Sequence, residues 1–168
     1  MMNLEQTDFK NTALPRWGCF WLSIGAGVAD YIDVEPTYGT VLSLYEKSLK
    51  TPCKKWVDGE EQPGHVLEID NMGHLNCTRP GVALRMWIKA LGATGEGDQV
   101  GDQDGFYPLV NDEWKESFRL RRYVTANNNG HWCMTYTNNR MVYNPDRSLV
   151  LKAKASKYYR RYYIDAVL

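Results

Sequence analysis

The 168-residue chain has no apolar run approaching the roughly 18 residues that a membrane-spanning helix requires, and its twenty basic residues are matched by twenty acidic ones. The first absence excludes a membrane span. The second removes the long-range field that gathers a polyanion, so nucleic acid is not the expected partner. Histidine is scarce, with only His65, His74 and His131. The four cysteines, Cys19, Cys53, Cys77 and Cys133, are scattered, which reads as free thiols rather than as a disulfide framework. His74 and Cys77 have a metal-compatible spacing, but no second close Cys/His pair completes a tetrahedral set, so neither metal nor cofactor is expected. An export signal is not expected either. Residues 20–29 are apolar and run into small residues, yet Glu5 and Asp8 precede them and offset Lys10 and Arg16, whereas a signal needs a positive start. The expected location is cytoplasmic as synthesised.

What is present suits one folded domain over residues 1–168: 43% apolar and 24% charged residues, enough to bury a substantial core. Around residues 18–31, Phe20, Trp21, Leu22, Ile24, Val28 and Tyr31 nearly surround a helix, predicting a buried one in which Gly25 and Gly27 permit close packing. A second helix follows Pro36, which suits its first turn. A third spans residues 78–92, with Thr78 as cap, Pro80 near the first turn and Gly92 as the stop. The stretch between these two, with Cys53, Trp56 and His65, reads as irregular.

Residues 92–105 lack an apolar period and read as an exposed loop. As a calcium loop they fail, because the first ligand position falls on Val100 and the last on Asn111. Gly95, Gly97 and Gly101 do not space as a dinucleotide fingerprint. The last third reads as strands: SFRLRRYVT, then HWCMTYT and RMVYNP flanking a tight turn at Asn138-Asn139, then KYYRRYYIDAV. Residues 147–161 hold six cations and no acid, a solvated surface in the first instance. Helices first and antiparallel strands afterwards predict an α+β domain.

One constellation carries chemistry. Cys19 falls where the buried helix should begin, and the free N–H groups of a helix start favour a thiolate. A nucleophilic thiol needs a base, and His131 opens a strand just after the polar run TANNNG, whereas His65 and His74 lie in loop-like sequence. A third group should accept the other imidazole N–H. VYNP supplies Asn144, with Asp146 as the reserve candidate, and pairing around Asn138-Asn139 brings residues 131 and 144 toward each other. Cys133 shares a strand face with His131 and reads as core.

The order GCFW at a helix start, GHW at a strand start and VYNP on the next strand, followed by a basic aromatic strand, resembles papain-like cysteine peptidases over residues 18–163. The likeness is to small bacterial and phage members, including domains that trim exported peptides and the NlpC-type and CHAP hydrolases of peptidoglycan peptides. The resemblance implies a central helix starting at the Cys and packed on a C-terminal antiparallel sheet, with Cys19 as nucleophile, His131 as acid/base and Asn144 as its orienting partner. It also implies a peptide or peptidoglycan-peptide substrate, with release to the cell wall by a separate route. That family commonly places a glutamine six residues before the Cys to bind the oxyanion. Here that position is Ala13, and the one upstream glutamine is Gln6. The donor is then sought among the Cys19 backbone N–H, Asn11 and Trp17. A domain that has lost catalysis and binds a peptide or glycan in the same groove is the alternative.

Overall fold

The computed structural model describes residues 1–106 and 115–168. Asn111, weighed above as a calcium ligand, lies outside them.

Two helices follow in near succession, α1 (Leu14–Trp17) and α2 (Cys19–Ile32). Gly18 joins them in helical geometry (φ −82°, ψ −5°). Its N–H donates to the Leu14 carbonyl and its own carbonyl accepts from the Leu22 N–H, so α2 starts without a side-chain cap. Trp21, Leu22, Ile24 and Val28 are buried, whereas Tyr31, expected inside, is 47% exposed where the last turn leaves the core. Gly25 and Gly27 act as the sequence suggests. A Cβ at Gly25 would overlap the Trp87 ring, and one at Gly27 the Phe118 ring. Their absence lets a helix and a strand approach α2 on two sides.

In α3 (Tyr38–Lys50) the cap is Thr37, whose hydroxyl accepts the Thr40 N–H at 3.2 Å. Pro36 therefore lies before the cap, not in the first turn. In α4 (Pro80–Ala90) Pro80 is the first residue, where its missing N–H costs nothing, and Gly92 follows the helix with φ 82°. Arg79, not Thr78, stands at the N-cap, because the Thr78 hydroxyl is taken by the His65 and Val66 carbonyls.

The stretch between α3 and α4 is regular after all. It folds as two antiparallel hairpins, β1 (Pro52–Val57) with β2 (Glu60–His65), and β3 (Leu67–Ile69) with β4 (Leu75–Cys77). No apolar alternation announced β2, since almost every residue of EEQPGH is exposed. The turn sets the pairing instead: Asp58 and Gly59 both have positive φ, 52° and 80°.

The main sheet has six antiparallel strands in the order β6 (Gly105–Phe106), β5 (Thr94–Asp102), β10 (Tyr159–Val167), β7 (Phe118–Val124), β8 (Gly130–Thr135), β9 (Met141–Tyr143). β5 corrects the loop reading of residues 92–105. Its glycines hid it, since at Gly97 the Leu84 side chain of α4 and the β10 backbone fill the place of a Cβ. The apolar cover comes from neighbours, so the strand's own sequence shows no period. Phe118, Leu120, Met134, Tyr162 and Ile164 bury against α2 and α4, with Phe118 and Tyr162 stacked at 5.2 Å. Tyr162 is thus a core residue while Tyr158 is 39% exposed. The class is α+β, and no described helix is long and apolar enough to cross a membrane.

Candidate active site

The first residue of α2 is Cys19, and β8 runs beside it. The buried Ser23 hydroxyl, one turn into the helix, donates to the Trp132 carbonyl at 3.2 Å and ties the two elements together. A cleft of about 530 Å³ opens there, with Cys19, Trp17, Phe20, His131, Trp132 and Asp146 in its walls.

His131, the second residue of β8, is only 2% exposed. Its Nε2 lies 2.7 Å from the Asn144 Oδ1. That oxygen also accepts the Asp146 backbone N–H at 3.1 Å, which fixes it as the carbonyl side of the amide. Nε2 must then be the protonated nitrogen of the neutral ring, and Nδ1 carries the lone pair. The tight turn makes this contact possible: Asn139 takes φ 68°, and a register shift between Met134 and Thr135 on β8 sets the pairing with β9. Asp146, the reserve candidate, is buried but points its carboxylate at the Ser148 N–H, 3.0 Å away, and reaches the ring only through its charge. Burial holds the His131 pKa below the usual histidine value, against the Asn144 bond and the Asp146 charge.

The thiol differs from the sequence expectation of an anion stabilised by a helix start. Burial pushes the Cys19 thiol up, although the backbone N–H groups of Trp132, Phe20 and Cys19 and the charge of Arg122 all pull it down. Desolvation outweighs the helix end because Gly18 continues the helical path and the sulfur sits between two packed elements. No hydrogen bond joins the thiol to the His131 ring in this state. Burial thus works against both the Cys19 thiolate and a charged His131, whose ring Asn144 orients in the same cleft.

Gln6, which the usual spacing passed over, stands in the same cleft. It is buried, its backbone N–H donates to the Pro145 carbonyl at 2.7 Å, and its Nε2 donates to the Pro15 carbonyl at 2.7 Å. The second N–H of that amide has no protein acceptor among the described residues. Neighbouring bonds strap this segment over the end of β9: the Tyr143 hydroxyl donates to the Leu4 carbonyl at 2.7 Å, and Arg147 pairs with Glu5 at 2.6 Å. The sequence signal failed because the segment between Gln6 and Cys19 holds a 3-10 turn, a left-handed Asn11 (φ 62°) and α1, which together absorb the extra residues. Asn11 is exposed and does not line the cleft, while Trp17 does, its ring 4.1 Å from that of His74.

The other thiols and histidines stand apart. Cys133 is fully buried and pushed up by burial. His65 lies 3.7 Å from Glu68 and His74 3.5 Å from Asp70, so neither ring serves a thiol. Among the described residues no three His, Cys, Asp or Glu side chains gather as a metal site.

The fold and cleft define an α+β domain with a cysteine, a histidine and an asparagine converging at a helix start. No family model, no curated protein and no solved structure matches the chain.

Proposed function

We propose that the chain is a papain-like cysteine hydrolase that cleaves an amide bond in a peptide through a thioester on Cys19. The observation that carries this reading is the 2.7 Å contact between His131 Nε2 and Asn144 Oδ1, in a cleft that also presents Cys19 at the start of α2. An orienting amide on one ring nitrogen leaves the other for a proton in transit, the arrangement that acid/base work on a nucleophile demands.

In this mechanism the substrate carbonyl enters between the sulfur and the ring. As Sγ attacks the carbonyl carbon, its proton passes to His131 Nδ1, so no free thiolate has to be stored at a buried site. The oxyanion is met by the Cys19 N–H and the second N–H of Gln6. The C–N bond then breaks, the imidazolium gives its proton to the departing amine, and a thioester remains. A water attacks the thioester, losing one proton to His131, which returns it to the sulfur as the acid leaves. Peptides of the bacterial cell wall are the substrate class that the family likeness favours.

The raised thiol and the lack of a resting sulfur–imidazole bond favour a second reading, a silent module that binds a peptide or glycan in the same cleft. Alkylation with iodoacetamide at pH 6 separates the two. The hydrolase predicts that Cys19 reacts far faster than Cys53, Cys77 and Cys133, that His131→Ala slows it, and that Cys19→Ala abolishes cleavage of a peptide library. Uniform labelling with no cleavage would favour the binding module instead.

A further inference from the structure

Behind Gly130 and Trp132, two residues that line the cleft, stands a group of cations. Arg122 on β7 is paired in register with Trp132 on β8 and shares its side of the sheet. Its guanidinium packs on Gly130, so that a Cβ at that position would overlap it. Gly130 and Trp132 both line the cleft that holds Cys19. The Arg122 charge is felt at the sulfur, where it favours the anion.

Around it stands an aromatic and cationic frame. The Arg122 guanidinium is 5.9 Å from the Tyr158 ring, whose other cation is Lys157 at 5.4 Å. The Arg160 guanidinium is 5.5 Å from the Trp132 ring, and Trp132 meets Phe20, the residue after Cys19, edge-on at 5.2 Å. Among the described residues, Arg122, Lys157 and Arg160 have no carboxylate within ion-pair distance, whereas Arg119, on the opposite face of the same strand, is paired with Glu116. Arg79, Arg85 and Arg147 are likewise paired, with Glu61, Asp98 and Glu5. Beside the cleft, then, three cations stand together on an aromatic frame without an ion-pair partner among the described residues.

We propose that Arg122, seated on Gly130 and flanked by Tyr158 and Arg160, forms a carboxylate subsite that selects peptides with an acidic residue next to the scissile amide. A guanidinium is a planar fork, and one packed on backbone presents that fork to a carboxylate for a two-point contact. A single such fork beside a nucleophile, in a chain of zero net charge, fits a side-chain carboxylate rather than a polyanion. The subsite rests on the hydrolase reading for its meaning, but not for its test.

The test compares iodoacetate, which carries a carboxylate, with iodoacetamide, which does not, as alkylators of Cys19. Both reagents depend equally on the thiolate fraction, so the ratio of their rates cancels any change in the thiol pKa. Arg122→Gln is expected to lower the iodoacetate-to-iodoacetamide ratio about tenfold, the scale of one charge-assisted hydrogen bond, and Arg122→Lys, which keeps the charge but loses the fork, to fall between that variant and the wild type. An unchanged ratio in Arg122→Gln overturns the subsite. If that variant does not fold, wild-type protein decides: N-acetylglutamate amide should protect Cys19 at about a tenth of the concentration that N-acetylglutamine amide needs. Equal protection overturns it. Neither readout needs turnover, so a lack of peptide cleavage strikes the hydrolase, and a flat ratio or equal protection strikes the subsite.

Discussion

Cys19 and Cys77 start from the same disadvantage. Burial pushes both thiols up, Cys77 to about 12, and each has a second cysteine nearby, Cys133 for one and Cys53 for the other. What separates them is the company of a base. The histidines near the hairpins, His65 and His74, are each turned to a carboxylate, Glu68 and Asp70. His131 instead spends one nitrogen on an amide and keeps the other free in a cleft with Cys19. A buried thiol becomes a candidate nucleophile through its partner, not through its own pKa.

The sharpest way to break this comparison is to remove each sulfur in turn. Cys19→Ala should lower peptide hydrolysis by about a thousandfold or more, and Cys77→Ala should leave it unchanged, measured as kcat/KM on one substrate. Equal effects would put the two thiols back in one class. Next in size comes Gln6→Ala. If its second N–H meets the oxyanion, kcat should fall about a hundredfold with KM nearly constant. A rise in KM with kcat unchanged would make Gln6 a strap for α1 rather than an oxyanion donor.

The His131–Asn144 pair gives a smaller, pH-resolved effect. Burial lowers the folded pKa of the ring, so the base stays neutral below the usual histidine value of 6.5 and the acid limb of kcat/KM should lie under that pH. Asn144→Ala should cost about tenfold at neutral pH, since removing a positioning group forfeits part of the general-base contribution. It should also move the limb, because the bond to Asn144 opposes the burial effect. Asn144→Asp should move it the other way, upward, by placing a charge on the ring. A limb fixed in all three proteins would detach Asn144 from the base. The same shift bears on stability. An unfolded ring takes a proton at about 6.5 and the folded one resists it, so stability from this group is full above that pH and declines as pH falls toward the lowered folded value.

The helices, the α+β class and the Cys19, His131 and Asn144 convergence were legible in the chain because each left a local mark. Gly25 and Gly27 announced close packing, and Asn138-Asn139 announced the turn that joins β8 to β9. β5 left no such mark, since Leu84 and the β10 backbone cover its glycines from outside the strand. β1 and β2 were hidden for the opposite reason, having little buried face to alternate. Gln6 was passed over because spacing along a chain is a poor ruler once a left-handed residue and an extra helix intervene. The raised Cys19 thiol was out of reach too, since desolvation depends on what β8 places over the helix start.

The smallest expected effect tests the hairpin side of the comparison. The Cys53 sulfur lies 3.2 Å from the Thr78 hydroxyl, which is already occupied by the His65 and Val66 carbonyls just before α4. Losing a weak thiol contact while those stronger bonds remain should cost only about 1 kcal/mol or less, with a little added for the packing of a half-buried side chain. Cys53→Ala should therefore shift the urea midpoint slightly at constant slope and leave Cys19 alkylation untouched. A drop in alkylation of Cys19 would mean that the hairpins support the cleft, through Leu75 and the Trp17–His74 contact that connect β4 and its turn to it. The two thiol regions would then be one mechanical unit, and the contrast between Cys19 and Cys77 would concern chemistry alone, not structure.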